Sequence, residues 1–190
     1  AIVLVFDLSP VYWRIGKAGA WQVPAGLLIG GIGIAVMLTP WVLLPGIVFD
    51  TRSVLLGISG LFFGLVPTAI AMLMTAVLRI TQGGGGTVMG VSVIFVTGGL
   101  GILMRHLFRR RLTQLSGLNL YLFGLGIHVA MLACTLTLPR ETGMLILNNI
   151  SLPVMVIYPL GTLLLGRLMV NRLKREESIE ELKRRESRLS

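Results

Sequence analysis

Apolar positions in this chain come in blocks rather than stripes. Five stretches, 18–49, 53–78, 80–104, 112–139 and 142–166, contain no Asp, Glu, Lys or Arg. About 20 apolar residues let a helix cross a hydrocarbon core of ~30 Å, so each block is long enough. A surface helix of a soluble domain would show a polar face every turn, and these blocks do not. The pattern predicts an all-α fold, a polytopic helical membrane bundle in contact with the lipid bilayer. The chain opens Ala1-Ile2-Val3-Leu4-Val5-Phe6, which fits the inside of a further helix and lacks the basic start and cleavage site of a signal peptide.

Charge sets the orientation. The formal net charge is +9, and the basic residues concentrate at Arg14 and Lys17, at Arg105, Arg109, Arg110 and Arg111, and from Arg167 onward. Short basic loops between apolar spans mark the cytoplasmic side, so the charge describes topology and not nucleic-acid binding. The C-terminus is then cytoplasmic, and a bacterial inner membrane is the expected location. Cys134 is the single cysteine, which excludes an intrachain disulfide and a thiolate metal cluster. With two histidines and few acids, no metal site, cofactor or catalytic constellation is expected.

The orientation raises a parity problem. Segments near 24–44 and 118–138 run outward, while 87–104 and 143–167 run inward. The block 53–78 must therefore begin and end on the outer side, which one straight helix cannot do. Gly60, Gly64 and Pro67 interrupt it, and proline removes a backbone donor. Two short helices are expected, 52–63 and 67–78, each about 18 Å long. They form a broken hairpin that enters the bilayer and turns back, a form that needs protein or water around its freed backbone groups. Residues 1–170 make the transmembrane domain. The tail 171–190 turns abruptly charged and is expected to be a cytoplasmic helix. Ile179, Leu182 and Leu189 follow a short heptad pattern that suits pairing with a second copy of the chain, a homodimer.

The candidate chemistry centres on Arg52 and Arg79, which bracket the broken block. A guanidinium stays charged in a protein and offers a planar fork of donors suited to a small carboxylate. Against that stands pairing with Asp50 and snorkelling to headgroups. Asp50 is expected to orient Arg52. His128, in the middle of its block, is either a ligand or proton group or an interhelical fastener. Asn148 and Asn149 could bind a ligand or a neighbouring helix. Gly83, Gly84, Gly85 and Gly86 lack the Lys-Ser/Thr of a P-loop and suit a permissive turn or a lid. Gly57-Ile58-Ser59-Gly60 with His128 superficially resembles a rhomboid-type intramembrane serine protease.

Asp50-Thr51-Arg52, Gly60-Leu61-Phe62-Phe63-Gly64, Arg79 and the Gly83–Gly86 tract resemble the LytS-YhcK type transmembrane receptor domain, and Ser151-Leu152-Pro153 and Gly161 are similar to its last span. The resemblance covers roughly residues 23–175 and implies a sensor module of bacterial histidine kinases or diguanylate cyclases, often joined through a PAS domain. Some kinase members respond to external pyruvate through a pair of arginines matching Arg52 and Arg79. Where those members carry Cys and Ser, this chain has Gly90 and Val93. His128 and Tyr158-Pro159 look closer to the cyclase-linked branch. The resulting expectation is a non-enzymatic membrane sensor. It binds a small anion from outside and signals through its C-terminal helix. A substrate-binding component of a small-molecule transporter is the alternative.

Overall fold

Glycine decides where the helices of this chain meet. The computed structural model describes residues 21–39, 41–44, 47–49, 51–108 and 111–189. Its helices are α1 (Gln22–Leu38), α2 (Arg52–Phe63), α3 (Leu65–Gln82), α4 (Thr87–Phe108), α5 (Gly117–Ala133) and α6 (Arg140–Leu189). Short 3₁₀ turns, Leu112–Gln114 and Cys134–Thr137, precede and follow α5. Two short antiparallel strands, β1 (Trp41–Leu44) and β2 (Ile47–Phe49), lie between α1 and α2. The bundle is all-α as the blocks predict, with that small hairpin added. The expected segment 24–44 is helical only to Leu38, and its last four residues, 41–44, form β1.

The broken hairpin is present. Gly64 adopts φ 87°, a left-handed value that favours glycine, and separates α2 from α3. One expectation needs correcting: the second helix covers Leu65–Gln82, 18 residues, and not the short segment 67–78. Pro67 stands in its first turn, where backbone N–H groups have no intrahelical acceptor, so it begins the helix instead of breaking it. The last span and the tail form one helix of 50 residues, α6, with Pro153 and Pro159 inside it. Among the described residues, four segments are long and apolar enough to cross a membrane: Leu65–Gln82, Thr87–Phe108, Gly117–Thr137 and Arg140–Arg188.

Every residue of α2 from Arg52 to Phe63 is buried, and the helix packs against α1, α3, α4, α5 and α6. It is the centre of the bundle. Small residues allow that closeness: a Cβ on Gly60 would stand 2.6 Å from the Ile102 nitrogen and 2.7 Å from the Gly98 carbonyl oxygen. Helices α2 and α4 therefore touch backbone to backbone, a packing mode common where lipid supplies no hydrophobic drive between helices. Gly26, Gly30 and Gly33 of α1 likewise meet Ile70, Met74 and Thr75 of α3 in parallel order. Leu73, Val77, Ile80, Phe95, Leu103, Leu122 and Val129 point away from the bundle, as lipid-facing positions should.

Candidate functional site

Arg52 is the first residue of α2 and Arg79 lies in the last turn of α3. The two helices run antiparallel about Gly64, and Ser59 and Thr68 near the break share a hydrogen bond of 2.9 Å between hydroxyls. Further out, Leu55 and Thr75 both approach Gly33 of α1. Arg52 and Arg79 each lie about one turn beyond that level, so they share one end of the hairpin. The Gly83–Gly86 turn caps this end: Gly83 and Gly84 take φ of 63° and 91°, and Thr87 Oγ1 donates to the Gly84 carbonyl at 2.9 Å.

Both guanidinium side chains are inside the protein, each 6% exposed. Arg79 lies flat on α4, because Gly90 has no side chain: a Cβ there would come 2.5 Å from Nε and 3.0 Å from Cδ. Arg79 Nε is buried and makes no hydrogen bond among the described residues. Arg52 has an interaction of its own, and its Nη1 is likewise a buried nitrogen with unused donor capacity among the described residues. The N-terminal end of α2 also carries partial positive charge, with no side-chain cap from Thr51. Two permanent cations and a helix N-terminus of the same sign favour an anion at this end. Asp50 lies outside the described residues.

His128 is fully buried, and it reaches α2. Its Nδ1 lies 2.6 Å from the Gly124 carbonyl oxygen, which can only accept, so Nδ1–H is the donor. Nε2 of the neutral ring then accepts from the Ser53 hydroxyl at 3.2 Å. The ring packs edge-on against Tyr158 of α6, with centroids 5.1 Å apart. His128 is thus an interhelical contact one residue from Arg52. The protease alternative is not supported by this geometry: Ser59 bonds Thr68, and His128 pairs with the buried Ser53 in a helix interface.

Asn148 and Asn149 do not join the arginines. Both are exposed on α6, and Asn149 Nδ2 donates back to the Leu145 carbonyl at 2.7 Å. Their neighbours Ile146 and Ile150 are the ones that turn inward, packing with Met89, Val93 and Met131. Cys134 is buried, and no group of three or more metal-ligating side chains occurs among the described residues.

Two residues escaped the sequence reading. Ser53 offered no signal beyond following Arg52. Arg105 was grouped with the cytoplasmic basic residues, yet its Nη1 donates to the Leu61 and Phe62 carbonyls at 3.0 and 2.8 Å. Those are last-turn carbonyls of α2, which a helix broken inside a bundle leaves without intrahelical donors. The expected break at Gly64 was the available clue that some donor had to arrive there.

A multi-pass helical membrane module with a centrally buried half-helix and a long final helix is the class this geometry defines. The sequence profile described as 5TMR of 5TMR-LYT matches residues 10–172. The chain belongs to that family, whose domain is a membrane sensor module and not a catalytic one. No curated protein and no solved structure matches the chain.

Proposed function

We propose that this module binds a small anion, a carboxylate by preference, from the outer side of a bacterial inner membrane. Arg52 and Arg79 hold it, and the glycine turn 83–86 leaves the approach open. One observation carries the reading: Arg79 is almost wholly buried, with its Nε lying unbonded against Gly90. A buried cation is costly to desolvate, and an anion that returns the lost hydrogen bonds offsets that cost. Binding favours one arrangement of the bundle over another, and the difference passes along α6 to a PAS, diguanylate cyclase or histidine kinase domain beyond a cytoplasmic C-terminus. Ile179 and Leu182, exposed on the tail, support pairing of two copies there.

The transporter alternative has no use for a final helix of 50 residues ending in a charged tail, so sensing is preferred. The test is a thermal-shift screen of purified protein against short monocarboxylates, dicarboxylates, amino acids and nucleobases. Short carboxylates should raise the melting temperature of the wild type, and Arg79→Gln should weaken their binding by at least about 30-fold. Equal responses in both proteins would remove the arginines from the site.

A further inference from the structure

Helix α2 begins at Arg52 and touches every other helix of the described bundle, and one of its polar contacts leads toward the exit helix. Ser53 Oγ meets His128 Nε2 at 3.2 Å, and the other ring nitrogen is tied to the Gly124 carbonyl at 2.6 Å. That second bond fixes the tautomer and the ring plane, leaving Nε2 as an acceptor aimed at α2. On its other side the ring meets Tyr158 edge-on, and Gly124 stands against the backbone of Pro159: a Cβ there would be 2.9 Å from Pro159 Cα. Proline inside a helix removes a backbone donor and marks where the helix bends. One imidazole thus lies between the start of the sensing half-helix and the proline-marked segment of α6.

We propose that Ser53, His128 and Tyr158 form a relay, carrying movement at the Arg52 end of α2 to the Tyr158-Pro159 segment of α6 and so to the C-terminal tail. The inference rests on the reading of α2 as the sensing element and deepens it. Ser53 and His128 are positioning residues in this scheme and touch no ligand. The lever is long: a change of about 10° at Pro159 would move Ser178, about 28 Å further along a straight helix, by about 5 Å. Ser59 provides an internal control, since it is equally buried in α2 but bonds Thr68 within the hairpin.

The experiment uses the full chain in lipid nanodiscs, with Cys134→Ala and spin labels at Leu107 and Ser178, both exposed positions outside the relay. No carboxylate is added. Ser53→Ala and His128→Gln should each shift or broaden the label distance by roughly 5 Å, on the lever above. The double variant should go no further than either single one, because both remove the same contact. Ser53→Thr should restore the wild-type distance, and Ser59→Ala should leave it unchanged. A Ser53→Ala distance equal to that of the wild type, or an equal movement in Ser59→Ala, would overturn the relay. Because the measurement is made without ligand, its failure leaves the anion-binding reading standing. Failure of carboxylates to bind would equally leave the relay standing.

Discussion

The two ends of α2 carry arginines in opposite electrostatic situations. At its C-terminus Arg105 brings a cation to the negative end of the helix and satisfies two orphan carbonyls. At its N-terminus Arg52 places a buried cation on the positive end, within one turn of the level occupied by Arg79. The first arrangement lowers the energy of the resting fold. At the second end Arg79 Nε is buried without a hydrogen bond among the described residues, a cost that an anion would offset. Residues of one kind thus stand in opposite fields at the two ends of one half-helix. The difference lies in the direction of the half-helix and not in residue type.

That contrast can be broken outright by separating α2 from α4. Gly101→Leu, where even a Cβ would press on the Gly57 carbonyl and Gly60, should cost about 3 kcal/mol or more, seen as poor yield or early unfolding in detergent. Next in size is Arg105→Met, which leaves the Leu61 and Phe62 carbonyls unsatisfied and should lower stability by about 2–3 kcal/mol. Arg79→Met should act in the opposite sense: removing a buried charge should raise the ligand-free melting temperature, by up to about 1–2 kcal/mol of stability, while abolishing the carboxylate response. Destabilisation by Arg79→Met of the same size as by Arg105→Met would make both arginines structural. Smallest of all, Asn149→Leu should change stability by no more than about 0.5 kcal/mol, since Asn149 bonds only its own helix and faces outward.

Those expectations show which parts of the molecule the residues alone made legible. The helical class, the break near Gly64 and the turn at 83–86 follow from block length, parity and glycine placement, which are local properties. The placement of Arg52 and Arg79 at one end followed from the same parity argument. Less visible was the start of α3 at Leu65, because a proline reads alike as a breaker or as a first-turn residue. The roles of Arg105 and Ser53 were hidden for a different reason: each depends on a partner on another helix, 43 residues away for Arg105 and Phe62 and 75 for Ser53 and His128. Asn148 and Asn149 failed to reach the site because the inward stripe of α6 runs through Ile146 and Ile150, a phase that a uniformly apolar block does not reveal.

The central claim is that Arg52 and Arg79 lie together at the outer mouth, and side-specific labelling tests it most directly. Single cysteines at the exposed positions Thr51 and Gln82, in a Cys134→Ala background, would be treated with an impermeant maleimide in sealed right-side-out and inside-out vesicles. The account predicts rapid reaction of both positions in right-side-out vesicles and protection of both in inside-out ones. Labelling of positions 51 and 82 from opposite sides would contradict it.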